Sequence, residues 1–274
     1  MTSEQTKDLA WRGRTVRWSR RGTGPALVML HGTPWSSALW RPFAEALAAR
    51  FTVYLWDMPG YGASSKDPRH DVDLGVQGEL FAFLLKHWGL ERPHVVAHDI
   101  GGAVALRARL LHETSFASLA LVDVVALSPW GSDFFRLVQR NADVFAQLPA
   151  AIHRGVVEAY IRGAAHRPLR DDDLRTLASP WLDEEGQQAF YRQIAQADER
   201  FTEEVVPLLA SIAEPVRVIW GAEDRWIPPD RATRLRAAIP HAEVRLVPDA
   251  GHLIQLDAPA VLAAELSGWL ADVS

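Results

Sequence analysis

Residues 95–102 read VVAHDIGG: an apolar run stops at a His-Asp pair, and two glycines follow one residue later. An unpaired carboxylate where a buried strand hands over to a tight turn is costly. Asp99 therefore either neutralises a structural partner, as a helix cap does, or takes part in chemistry. Small residues around such a turn let the backbone pass close to its neighbours. A sharp strand-to-helix turn also projects one side chain into a crevice, the layout of a nucleophile elbow. Residues 103–111, rich in Ala, Leu and Arg and free of Pro, read as the helix that follows. The N–H of Ile100 then lies at a helix N-terminus, where it can stabilise negative charge on an oxygen.

Outward from this turn, strand and helix signals alternate. TVRWS (15–19), ALVML (26–30), FTVYLW (51–56), PHVVAHD (93–99) and LALVDVV (119–125) read as strands, as do VRVIW (216–220) and VRLV (244–247). Helical sequence covers about 37–49, 74–88, 231–238 and 259–270. Short apolar strands separated by helices specify an α/β fold, a mostly parallel sheet covered by helices on both faces. Residues 128–214 break the rhythm, being helical in pattern (FFRLVQRNADVF, GVVEAYIRG, QQAFYRQIAQ) with no convincing strand. Ligand crevices of such sheets lie at the carboxyl ends of the strands. An inserted helical block there would cap that crevice, dividing the chain into core (1–127), cap (128–214) and core (215–274).

Composition narrows the function classes. With 274 residues, 48% hydrophobic and 23% charged, the chain is long enough for one domain with an insertion and matches neither a disordered nor a fibrous protein. Its 29 basic residues against 34 acidic ones are scattered, without the stripe that phosphate backbones attract, so nucleic acid is not an expected partner. The N-terminal residues carry no secretory pattern and no run approaches a membrane span. The expectation is a cytoplasmic, non-membrane protein, monomer or homodimer. Having no Cys removes disulfides, thiolate catalysis and Cys-based metal sites, and no motif calls for a metal or cofactor. The 11 Trp are unusually many; most are expected in the core, and some could line an apolar pocket.

Asp99 does not stand alone. Asp224, in WGAEDRWIPP, follows one late strand and His252, in VPDAGHLIQLDAP, follows the next. The chain order Asp99, Asp224, His252 fits the nucleophile, acid, His order of one hydrolase template. Singly, each is an ordinary loop residue; together, at the ends of separate strands, they point to catalysis. These motifs, with HGTPWSSALWRP (31–42), DMPGYGAS (57–64) and AHDIGG (97–102), resemble the α/β-hydrolase superfamily. Within it the chain is similar to the aspartate-nucleophile branch of epoxide hydrolases and haloalkane or haloacid dehalogenases, over about residues 15–272. The resemblance implies the α/β-hydrolase fold with a helical cap after the sixth strand. It implies Asp99 as nucleophile, His252 as base and Asp224 as the acid that orients His252, with Asp123 the alternative acid. The N–H groups of Thr33 and Ile100 would form the oxyanion hole. A carboxylate needs no deprotonation to attack carbon, and the resulting ester is opened by water that a His activates.

The reaction within the branch turns on the leaving group. Haloalkane dehalogenases hold halide with Asn in HGxP and Trp after the nucleophile, and fluoroacetate-type relatives place Arg after it. This chain has Thr33 and Ile100. Epoxide hydrolases protonate the ring oxygen, usually with two cap tyrosines. Tyr191, in FYRQ, matches that pattern, and Tyr160 falls later than the usual first tyrosine. Trp35, His98, Trp130 and Trp181 complete the candidate substrate contacts. The reading leans to an epoxide hydrolase acting with water on a small, mainly apolar molecule. A dehalogenase is the alternative, and a non-catalytic binding protein on the same scaffold is the alternative of a different class.

Overall fold

The computed structural model describes residues 4–274. Eight strands form one sheet: β1 (Gln5–Trp11), β2 (Arg14–Arg21), β3 (Ala26–Leu30), β4 (Thr52–Trp56), β5 (His94–His98), β6 (Ser118–Val122), β7 (Val216–Gly221) and β8 (Glu243–Val247). Their order is β1-β2-β4-β3-β5-β6-β7-β8. β2 pairs antiparallel with β1 and β4, and every pair from β4 to β8 is parallel. The core helices are α1 (Arg41–Leu47), α2 (Leu74–His87) and α3 (Ile100–Leu111). Between β6 and β7 come α4 (Asp133–Arg140), α5 (Ala142–Phe145), α6 (Ala150–Ala164), α7 (Asp171–Ala178), α8 (Glu184–Ala195) and α9 (Arg200–Glu203). After β7 follow α10 (Asp230–Ala238), α11 (Ile254–Asp257) and α12 (Pro259–Asp272).

The continuous apolar run ALVML follows from this layering. Successive strand side chains point to opposite faces, and both faces of β3 are covered. Leu27 and Met29 pack with Phe43 and Leu47 of α1 and Leu262, Leu266 and Trp269 of α12. Val28 and Leu30 face the other way, into a core shared with Leu80, Phe81 and Leu84 of α2 and Val104 and Leu106 of α3.

Three details differ from the sequence reading. β1 was not legible because it is an edge strand whose residues 5–10 are largely exposed, so QTKDLAW carries no buried alternation. The strand read as 119–125 stops at Val122, because Asp123 turns the chain with φ +45°. The helix after the elbow starts at Ile100, and both glycines lie in its first turn. A Cβ on Gly101 would meet the His31 carbonyl oxygen at 2.4 Å, and one on Gly102 would meet the Val124 Cβ at 2.4 Å. The glycines thus permit a close crossing of helix and sheet.

Several hydrogen bonds tie the helical insert between β6 and β7 to the core, and two groups of them bear on the crevice. Near the C-terminal end of α6, the buried Asp257 carboxylate accepts the N–H groups of His166, Arg167 and Gly251 at 2.8–2.9 Å, and Leu253 N–H donates to Ala164 O. From α8, Gln193 reaches the loop after β3. No helix among the described residues is long and apolar enough to cross a membrane.

Candidate active site

Asp99 stands between β5 and α3 with φ +52° and ψ −127°. That region is strained for a residue with a Cβ, and it persists only where the surroundings over-determine it. Here they do: the Asp99 carbonyl accepts N–H groups from Gly102 (2.9 Å) and Val125 (3.0 Å), and its own N–H donates to Val122. Only glycine fits opposite, because a Cβ on Gly32 would lie 2.3 Å from the Asp99 Cβ.

The carboxylate is 3% exposed and divided between two environments. Oδ1 accepts the Thr33 N–H at 2.6 Å, and Oδ2 lies 3.2 Å from His252 Nε2. His252 is fully buried, and its Nδ1–H donates to Asp224 Oδ2 at 2.9 Å. Asp224 Oδ1 in turn accepts the N–H groups of Trp226 and Ile227 at 2.8 and 2.9 Å. Asp99, His252 and Asp224 therefore form one continuous polar chain. Asp123 does not join it: Oδ1 accepts Gly221 N–H at 2.7 Å, and no bond links it to His252.

The charges separate accordingly. Burial pushes the Asp99 carboxyl up, but the hydrogen bond and charge of His252, with the Ile100 N–H, outweigh this and hold it below the usual range. Burial pushes His252 down, and the Asp224 charge and hydrogen bond, joined by those of Asp99, hold it well above the ordinary imidazole value. Asp123 goes the other way, raised well above the usual carboxylate range by burial and by the Asp224 charge. His98 sits behind His252, its ring 4.9 Å away and its Nε2–H donating to the His252 carbonyl at 2.9 Å. Burial and the His252 charge push His98 down to about 3. It steadies His252 and does not reach the crevice.

A cavity of about 30 Å³ opens on Asp99, lined among others by Thr33, Ile100, Trp130, Ser132, Phe135, Tyr160 and Trp226. The expected contacts sort unevenly. Tyr160 lines the cavity and its hydroxyl has no hydrogen-bond partner among the described residues. Tyr191, the better match in sequence, does not: it is fully buried in the insert and its O–H donates to His153 Nδ1 at 2.9 Å. Trp130 lines the wall, but its indole N–H donates to Thr202 Oγ1. Trp181 is buried and spends its N–H on the Pro34 carbonyl at 2.8 Å. Trp35 lies one ring back, stacked on Trp226 at 5.8 Å, and Trp226 stacks on both His252 and Tyr160. Sequence reasoning missed Ser132, Phe135 and Gln193. Only Ser132 left a trace, as the N-cap residue ahead of FFRLV.

The neighbouring motifs serve as struts. Asp57 of DMPGYGAS accepts Ser37 and Ala63 N–H groups, and His31 accepts Met58 N–H at Nε2 while Nδ1–H donates to Gly32 O. Among the described residues no cluster of three or more His, Asp or Glu side chains is placed to hold a metal ion.

A parallel sheet with an Asp-His-Asp chain at its strand ends defines a class of α/β protein whose site faces a helical insert. The chain belongs to the alpha/beta hydrolase fold family, whose pattern matches residues 25–259. It is 44% identical to an alpha/beta hydrolase fold protein from Burkholderia ambifaria, with a TM-score of 0.92 over 95% of this chain and 96% of that one. A fluoroacetate dehalogenase from a Burkholderia species is 37% identical over 144 residues, 50% of this chain and 47% of that protein. The haloalkane dehalogenase DbeA from Bradyrhizobium elkani, at 21% identity and TM-score 0.82 over 99% of both chains, shares the fold. Family and relatives support a hydrolase.

Proposed function

We propose that the protein is an epoxide hydrolase acting through a covalent ester on Asp99, with residues 128–214 serving as a cap over the crevice. The polar inventory of the cavity carries the reading. It holds a paired carboxylate at Asp99, an unpartnered phenol at Tyr160, and no Lys or Arg. A haloacid would bring a second negative charge against Asp99 with no Lys or Arg on the cavity wall to offset it, and His252 is already shared between Asp99 and Asp224. A halide would need free N–H donors, and on the cavity wall the Trp130 indole and the Thr33 amide are already engaged, which leaves it the Trp226 indole.

In the proposed reaction Asp99 Oδ2, the oxygen not held by Thr33, attacks a ring carbon, forming a C–O ester bond as the ring C–O bond breaks. The Tyr160 O–H gives its proton to the departing alkoxide. Burial, with the Asp99 charge, keeps this phenol raised well above its ordinary value and hence protonated, and an alkoxide is basic enough to take its proton. Ester formation removes the Asp99 charge, one of the two charges that hold His252 protonated. The His252 pKa then falls, and once neutral its Nε2 takes a proton from water attacking the ester carbonyl. The tetrahedral oxyanion develops at Oδ1, where the Thr33 and Ile100 N–H groups receive it. Collapse breaks the Cγ–Oδ2 bond, and the departing oxygen takes the hydroxyl proton that the attacking water left on the intermediate. The diol leaves a carboxylate on Asp99 beside the reprotonated His252, with Tyr160 recovering its proton from solvent.

The test is a paired screen of small terminal epoxides, 1-haloalkanes and haloacetates, following diol formation and chloride, bromide and fluoride release. Diol formation from epoxides at a kcat/KM at least about 100-fold above halide release is expected for this inventory. Halide release without diol formation would move the assignment to a dehalogenase.

A further inference from the structure

The side chain of Thr33 is spoken for from the far side of the crevice. Gln193, on α8 of the insert and 3% exposed, accepts the Thr33 hydroxyl at 2.8 Å and the Tyr61 hydroxyl at 2.9 Å on the same Oε1. Its Nε2 donates to Phe190 O at 3.1 Å, which fixes which end of the amide faces the core. Burial pushes the Tyr61 phenol up, so it stays a donor. Thr33 is also the residue whose N–H donates to Asp99 Oδ1 at 2.6 Å. One amide on the insert thus meets the loop whose backbone holds the carboxylate. A buried amide with both ends satisfied holds its neighbours in one arrangement, and breaking it leaves buried hydroxyls without acceptors.

We propose that Gln193 is a positioning residue for the oxyanion hole: from the insert it holds Thr33 so that the Thr33 N–H stays aimed at Asp99 Oδ1. This rests on the reading of Asp99 as the ester-forming residue. The hole is therefore built jointly, with its donors on the core and the brace for one of them on the insert. Its effect falls on the second half of the reaction. Attack by Asp99 discharges the carboxylate and gains little from donors at Oδ1, whereas water attack builds negative charge there. Thr33, in the HGxP position, is at the same time withdrawn from any leaving group.

The experiment uses single turnovers of 1,2-epoxyhexane with the full chain, reading ester formation and ester hydrolysis separately by quenched-flow intact mass. Gln193→Leu and Thr33→Val should each slow hydrolysis about 10-fold with alkylation changed less than about 2-fold. The double variant should be no slower than the worse single one, because both remove the same bond. Thr33→Ser, which keeps the hydroxyl, should restore hydrolysis. Additive effects, or equal slowing of both steps, would overturn the proposal. Backbone hydrogen exchange over residues 31–36 gives a readout independent of chemistry, and Gln193→Leu should speed it about 10-fold with α2 and α3 unchanged. If no ester forms in any variant, the reading of Asp99 fails while exchange still decides whether Gln193 holds the loop. Unchanged exchange would overturn the brace itself.

Discussion

The two walls of the Asp99 cavity are built on different principles. On the core wall, Asp99, His252, Asp224 and Thr33 are locked by short bonds, with backbone N–H groups on both Asp224 Oδ1 and Asp99 Oδ1. On the insert wall, Trp130, Phe135 and Tyr160 present aromatic surface, and one phenol is left unpaired. The difference teaches a division of labour: a wall of fixed dipoles can stabilise charge without reorganising, while a mainly apolar wall with few donors can select what enters.

The sharpest way to break this contrast is to damage the core wall. Asp224→Asn keeps the size and shape of the side chain but removes the charge that holds His252 high and fixes its Nδ1–H. Turnover of a terminal epoxide should fall about 10³-fold. Because the raised imidazole must lose its proton before it activates water, ester hydrolysis should rise with pH. The Asn variant should shift that rising limb to lower pH while lowering its plateau. A plateau within about 10-fold of the parent would show that Asp123 or another group substitutes for Asp224.

Damage to the insert wall should be milder and selective. Tyr160→Phe keeps the ring that stacks on Trp226 at 4.3 Å and deletes only the donor. Alkylation by epoxides should slow about 10- to 100-fold, with ester hydrolysis unaffected. Equal loss in both steps would mean that Tyr160 shapes the site without giving a proton.

These walls also differ in how far the sequence reveals them. Asp99, Asp224 and His252 each sit in a short motif just past a strand, so local pattern and chain order identify them before any packing is known. The insert wall is assembled from α4, α6 and the loop ahead of α4, and which face of each helix meets the cavity depends on packing that sequence period does not fix. That is why Tyr191 looked better placed than Tyr160. Tyr191 matches a pattern, but its side of α8 turns to His153, and Gln193, two residues on, reaches the loop that carries Thr33. The edge strand β1 escaped for the opposite reason, since its exposure on both faces leaves no alternation to read.

The smallest expected effect concerns stability. His98 and His31 are both held neutral by burial, which lowers their values in the folded chain, to about 3 for His98. The unfolded chain takes up these protons first, near pH 6.5, so the folded state loses stability as pH falls from 6.5 toward 3. His98 contributes a slope of about 1.4 kcal/mol per pH unit within that window, and His31 adds to it in the same direction below pH 6.5. His252 has the opposite sign, since its raised value lends stability below pH 6.5 that is lost as pH rises through its folded value. Urea unfolding at pH 6.5 and 4.5 should show a shallower acid dependence in His98→Asn than in the parent. An unchanged dependence would mean that His98 takes up its proton in the folded state.

The central claim is that Asp99 forms a covalent ester which His252 opens. His252→Gln, exposed to 1,2-epoxyhexane and digested for peptide mass analysis, tests it most directly. The account predicts one equivalent of the intact epoxide mass on the peptide containing Asp99, stable over hours, with turnover reduced about 10³-fold or more. An unmodified Asp99 peptide with diol still accumulating at the parent rate would contradict it.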